Sequence, residues 1–294
     1  MEAGIAGFIV MTGTFTDEED KTDIEKFTLR DKVKKYGTVP AFTMRIKDAL
    51  HLLKNKASKV KIELITEDIE LTSRNIIVTL NGSKYPEDIV SFGAHYDSVP
   101  YSRGISDNGG GAVIIMELLR YFIENPPART VKFIWYGSEE IGLQGSQAYL
   151  KCHEAELDKH LLMLNVDVAG PVIGEDFIFV TADEKVVDYV NKAAAIKGFP
   201  ADTQQSIYSS DSTAYANAGI PSISFCRQPT DDADYIHTRY DMMDFISAES
   251  LEKTSIFVRD FSDAVINSVV FPIPRIIPDN MRQALDKYFN IEKN

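Results

Sequence analysis

The stretch Ile89-Val90-Ser91-Phe92-Gly93-Ala94-His95-Tyr96-Asp97-Ser98 reads as a buried strand that ends abruptly in an imidazole and a carboxylate. In an open α/β sheet, ligands and metals gather at the carboxyl ends of the strands. A histidine and an aspartate two residues apart at such an end can act as a metal ligand and the carboxylate that steadies it. A satisfied structural histidine explains this one strand equally well. The decision rests on how the neighbouring strands end.

Outward from this stretch the chain repeats a strand, loop, helix rhythm. Strands are predicted at 75–80, 89–94, 131–136, 161–166, 177–181 and 222–226, and helices at 110–123, 145–152, 185–196, 212–218, 249–269 and 281–289. Apolar runs alternating with helices imply an α/β fold with a mostly parallel central sheet flanked by helices. Upstream lie a strand at Ile5 to Met11, an acidic run at Thr14 to Lys26, a Gly-Thr-Val-Pro turn at 37–40, a helix at Arg45 to Leu53 and a strand at Val60 to Ile65. These elements are too few for a generous core, so residues 1–70 are expected to form a small N-terminal satellite and 71–294 the main domain.

The 294 residues carry 31 Lys and Arg against 44 Asp and Glu, a formal net charge of −13. This balance argues against general binding to nucleic acid or to an anionic membrane, both of which need a basic surface. No run is long enough for a transmembrane helix, and the acidic start is a poor signal peptide, so a cytoplasmic location is expected. Because the chain opens almost at once on an interior-like strand, an upstream segment is expected too, and with it any targeting signal. Cys152 and Cys226 are far apart and read as free thiols.

Polar residues recur where the other strands end. Ser106-Asp107-Asn108-Gly109-Gly110-Gly111 precedes an apolar helix; Asp107 could cap that helix, while the glycines permit close backbone approach. Gly137-Ser138-Glu139-Glu140 follows the strand ending at Tyr136, and neighbouring side chains there point apart, so that one carboxylate can ligate and the other face a substrate. Asp167 follows a fourth strand, and His237 lies in the loop 235–241 after the acidic turn Asp231-Asp232-Ala233-Asp234. Together these segments supply a nitrogen and oxygen ligand set suited to zinc or cobalt and tolerable for manganese.

With these segments in their order, the chain resembles the cocatalytic two-zinc aminopeptidases of the M28 peptidase type. The resemblance covers roughly residues 72–270. It implies the phosphorylase/hydrolase-like fold of zinc-dependent exopeptidases and removal of the N-terminal residue of peptides. It further implies Asp107 bridging two Zn2+ ions, His95 and Asp167 completing one ligand set, and Glu140 and His237 the other. Glu139 is then the general base, and Asp97 the group that orients His95. Tyr208 and Tyr235 are candidate oxyanion donors, and Asp211, in Ser210-Asp211, belongs to the substrate side; the family often has histidine where this chain has Ser212. Residues 1–70 resemble the latter part of a protease-associated domain. The implied partner is a peptide with a free N-terminus, and homo-oligomer formation stays open. A carboxypeptidase or dipeptidase on the same metal core is the alternative; it needs a cation for the substrate carboxylate, for which Arg103, Arg227 and Arg239 are available. A binding module on a disabled scaffold is a further reading, disfavoured by Glu139 and the full apparent ligand set.

Overall fold

The computed structural model describes residues 6–12, 39–63, 65, 67, 69–228 and 235–289. The chain divides into two compact units, Met1–Leu71 and Thr72–Asn294. In the first, β1 (Phe8–Thr12) pairs in parallel with β2 (Ala41–Arg45), which leads directly into α1 (Ile46–Lys54). The expected strand over 60–65 is not found among its described residues. Val60 and Ile65 are exposed, Lys61 and Glu63 pair with each other at 2.8 Å, and no neighbouring strand supplies a ladder. Ile5, the acidic run 14–26, Gly37-Thr38 and the turn 231–234 lie outside the described residues.

The second unit is built on seven strands, β3 (Ile76–Leu80), β4 (Tyr85–His95), β5 (Arg129–Tyr136), β6 (His160–Val166), β7 (Glu175–Thr181), β8 (Ala201–Gln205) and β9 (Ser222–Gln228). Their order is β3-β5-β4-β6-β9-β7-β8. The pairs β4–β5, β4–β6, β6–β9 and β7–β8 are parallel, whereas β3–β5 and β7–β9 are antiparallel. The sheet is therefore mostly parallel, as the sequence rhythm implies. Strand β8 was not expected: Ala-Asp-Thr-Gln-Gln carries almost no apolar signal, and as an edge strand it pairs only with β7.

Helices α2 (Gly111–Glu124) and α6 (Ala248–Ile266) cover one face, where Val90, Phe92 and Ala94 of β4 meet Phe133 and Trp135 of β5. Phe92 and Phe133 stack at 5.0 Å. Helices α3 (Gln144–Cys152) and α5 (Asp211–Asn217) cover the other, over Ile134, Tyr136 and Met163. Because β4 and β5 bury both faces, their sequences show no polar alternation. Helices α4 (Glu184–Lys197) and α7 (Asp279–Tyr288) complete the unit. No described helix is long and apolar enough to cross a membrane.

Helix α6 stops at Ile266, short of the predicted Val269, because the chain is captured by the start of β5. The Asn267 side chain accepts the Ala128 N–H at 2.8 Å, and buried Arg129 donates to the carbonyls of Ile266 at 2.9 Å and Ser268 at 2.6 Å. The same guanidinium pairs with Asp88 at 3.1 Å and lies over the rings of Tyr85 and Phe271. Arg129→Met keeps much of the volume but strands these acceptors. It is expected to cost about 3 kcal/mol of unfolding free energy, read by urea denaturation; a loss below about 0.5 kcal/mol would show the clamp to be dispensable.

Candidate active site

Strands β5, β4 and β6 are neighbours, so the loops leaving their carboxyl ends converge. His95 ends β4, Glu139 and Glu140 follow β5, and Asp167 follows β6. Asp107 enters from the turn before α2, and His237 from the loop 235–241. His95 Nε2 lies 2.9 Å from Asp107 Oδ1 and 3.3 Å from Asp167 Oδ1. His237 Nε2 lies 3.1 Å from Asp107 Oδ2 and 3.1 Å from Glu140 Oε2. Asp107 thus turns one oxygen to each imidazole, the arrangement a carboxylate shared between two centres requires. All five residues singled out as ligands are brought together.

The supporting contacts come from farther along the chain. His95 Nδ1 bonds the Asp97 carbonyl at 3.0 Å, while the Asp97 carboxylate stands 3.6 Å away, too far for a hydrogen bond. That carboxylate instead accepts the backbone N–H groups of Glu139 at 3.1 Å and Glu140 at 3.3 Å. Asp97 therefore holds His95 through its backbone and the Glu139–Glu140 turn through its side chain. Asp241 does similar work beneath Asp107: it accepts the Ser106 N–H and hydroxyl, each at 2.7 Å, and the Asp107 N–H at 3.1 Å. Sequence reasoning gave Asp241 no role; its only signal is its place four residues after His237. Close packing fixes the same turn, since a Cβ on Gly110 would overlap the Ala169 carbonyl and one on Gly111 the Val166 carbonyl. Ser138, Val168 and His237 all hold positive φ, at 63°, 58° and 60°. In a β-branched residue such as Val168 this conformation survives only where the surroundings enforce it.

We expect Asp241→Asn to lower metal affinity about 10- to 100-fold, because an amide NH2 would face the N–H groups the carboxylate now accepts. Competition with a fluorescent zinc chelator reads this out. Wild-type affinity in the variant would show that Asp241 does not position Asp107.

Charge in this cluster is poorly balanced by the protein itself. Burial pushes Glu139 up to about 9, helped by the nearby charges of Asp167, Asp211 and Glu140. Burial also raises Glu140 and Asp167, and lifts Asp211 to about 7. Hydrogen bonds to Asp107 and Glu140 raise His237 to about 10. For Asp97, burial opposes ionisation, but His95 and the Glu139 and Glu140 N–H groups outweigh it and lower the pKa. The Glu140 Oε1 atom is buried without a hydrogen-bond partner among the described residues. An excess of buried carboxylates, an orphaned carboxylate oxygen and two imidazoles form a donor set that fits divalent cations, zinc in particular.

Residues 75–262 match the family model of peptidase family M28. The chain belongs to this family. The M28 chain is 32% identical to aminopeptidase YwaD of Bacillus subtilis (strain 168) over 234 residues, 75% of its own length and 50% of that protein. A peptidase M28 precursor from Shewanella amazonensis SB2B has a similar structure, with a TM-score of 0.70 and 28% identity over 93% of this chain and 63% of that one. BSAP, described as a zinc aminopeptidase from Bacillus subtilis, gives 0.65 and 26% over 82% and 61%. The M28 chain thus spans between half and two thirds of the length of these relatives.

The two candidate tyrosines have different surroundings. Tyr208 stacks on Phe179 at 5.0 Å, and its hydroxyl pKa is raised well above the usual value by burial and by the charges of Asp167 and Asp107. Tyr235 stacks on Phe245 at 4.3 Å and lines a cavity of about 190 Å³ with Val172 and Ile173. Asp211 is buried at the start of α5, and its Oδ1 has no hydrogen-bond partner among the described residues. In the M28 chain Ser212 is buried as well, its hydroxyl 2.8 Å from that of Ser210 and 2.7 Å from that of Ser224. Ser212 is thus held in a hydroxyl network that joins β9 to the start of α5.

Proposed function

We propose that the chain is the catalytic part of a zinc-dependent aminopeptidase that hydrolyses the first peptide bond of substrates with a free N-terminus. The observation that carries this reading is the shared Asp107 carboxylate, one oxygen on each histidine, in a chain of the M28 family. His95 and Asp167 would hold one ion, Glu140 and His237 a second, and Asp107 both; cobalt or manganese suits the same donors. When bound, the ions supply Lewis acidity, which makes water nucleophilic near neutral pH and polarises the scissile carbonyl.

The remaining work falls to the chain. Glu139 takes the proton of the attacking water and delivers it to the departing amine. Its backbone is pinned by Asp97, so the carboxylate is presented at a fixed angle. Of the two tyrosines, we assign the buried Tyr208, whose ring stacks on Phe179, as the donor to the developing oxyanion. Unligated carboxylate surface near the ions favours the substrate α-ammonium group, which confines cleavage to the N-terminal residue.

A matched series tests the specificity: a leucyl peptide, its N-acetyl derivative and its C-terminal amide. Hydrolysis of the free-amine forms with at least 100-fold discrimination against the acetylated one is expected; equal turnover of the acetylated peptide would contradict an aminopeptidase. Among the cations considered for the carboxypeptidase alternative, Arg227 is committed to Asp176 at 2.8 Å and to the Pro171 carbonyl.

A further inference from the structure

The chain carries far more acid than base, 44 Asp and Glu against 31 Lys and Arg, so an arginine readily finds a carboxylate. Arg45, Arg120, Arg129, Arg227, Arg259 and Arg275 each hold one, and the Arg282 guanidinium takes the Asn217 carbonyl. Arg74 and Arg103 depart from this pattern. Both are exposed, and neither guanidinium has a hydrogen bond or ion pair among the described residues.

Both arginines also lie on the loops that build the candidate site. The Arg74 carbonyl accepts the Tyr96 hydroxyl at 2.6 Å, and the adjacent Asn75 side chain accepts the Gly137 N–H at 3.2 Å and donates to the Gly145 carbonyl at 2.8 Å. Residues 74–75 are thereby strapped onto the turn that presents Glu139 and Glu140. Arg103 lies between His95 and Asp107 in the chain. It precedes Gly104, which takes a left-handed backbone (φ 60°) against Ser98 and the Asp107 carbonyl, and which accepts the Gly109 N–H at 2.8 Å. Each arginine is thus anchored next to a turn of the site, Arg74 through Asn75 to Gly137 and Gly145, and Arg103 through Gly104 to the backbone around Asp107.

A guanidinium repels the α-ammonium end of a peptide and matches the planar, two-oxygen geometry of a carboxylate. We propose that Arg74 and Arg103 form a subsite for a carboxylate carried by the leaving fragment of the substrate. That carboxylate is either the C-terminus of a di- or tripeptide or the side chain of an acidic residue just after the scissile bond. The subsite rests on the aminopeptidase reading and adds a substrate class to it.

The test uses the full zinc-loaded chain, comparing kcat/KM for Leu-Ala with Leu-Ala-amide and for Leu-Glu-amide with Leu-Gln-amide. The wild type is expected to prefer the carboxylate-bearing member of at least one pair by about five- to tenfold. The first pair reports a terminal carboxylate and the second a side-chain carboxylate. The preference should shrink in Arg74→Gln and in Arg103→Gln, and approach unity in the double variant. Ratios near one in the wild type, or a wild-type ratio kept in the double variant, would overturn the subsite. Leucyl-p-nitroanilide has no carboxylate on either fragment and separates the two claims. Its turnover with flat ratios sinks the subsite alone, whereas no turnover of it or of the dipeptides removes the aminopeptidase reading and the subsite together.

Discussion

Glu139→Gln is expected to retain the metal content of the wild type and to lose about 10³-fold or more in kcat, with little change in KM. The amide keeps the shape of the side chain and the backbone bond to Asp97 but cannot accept a proton at neutral pH. The environment explains why this residue, and not its neighbour, is the base. Glu140 is drawn 3.1 Å from His237, whereas Glu139 faces the buried charges of Asp167 and Asp211, which with burial push it up to about 9. Burial, and with it those neighbouring charges, biases Glu139 toward its protonated form in the metal-free chain. Nearby divalent cations favour the carboxylate form, so loading the site would both supply the nucleophile and free the base that deprotonates it. Metal analysis alongside steady-state kinetics checks this. A variant with unaltered turnover would remove Glu139 from the mechanism, and one that lost its metal would place Glu139 in the ligand set.

Asp107→Ala has the second large effect: loss of both ions on dialysis and of activity by at least 10³-fold, with the fold retained. No other described side chain contacts both histidines. Removing it deletes a donor from each proposed ligand set and leaves the two imidazoles without the carboxylate between them. The backbone of the turn should persist, because Asp241 holds it through the N–H groups of Ser106 and Asp107. An unchanged far-ultraviolet circular dichroism spectrum with less than 0.2 equivalents of zinc per chain is the expected result. Two equivalents retained after dialysis would contradict a shared carboxylate.

The sequence exposed those parts of the molecule where one residue type has one physical use. Apolar runs such as Phe133-Ile134-Trp135-Tyr136 are buried on both faces and could be read directly as central strands. The polar residues that end these strands stood out for the same reason, since a His or Asp after a buried run demands a compensating partner. Elements held by pairing alone were not legible: Ala201–Gln205 is polar and becomes a strand only because β7 offers it an edge. The reverse holds at Val60 and Ile65, where an apolar run finds no partner strand among the described residues. Among site residues, Asp241 escaped because its role is to accept backbone N–H groups 134 and 135 positions away, a relation with no local pattern. Asp97 was legible as a support, but which atoms it uses was not. Its carbonyl takes His95 and its carboxylate takes the Glu139–Glu140 turn.

The most direct test of the account is a zinc titration of the chelator-stripped protein, following leucyl-p-nitroanilide hydrolysis against equivalents added. Negligible turnover without metal is expected, with activity rising to a plateau whose break falls at two equivalents per chain. Full activity in the stripped protein, or a plateau complete at one equivalent, would contradict a site in which Asp107 is shared between two ions.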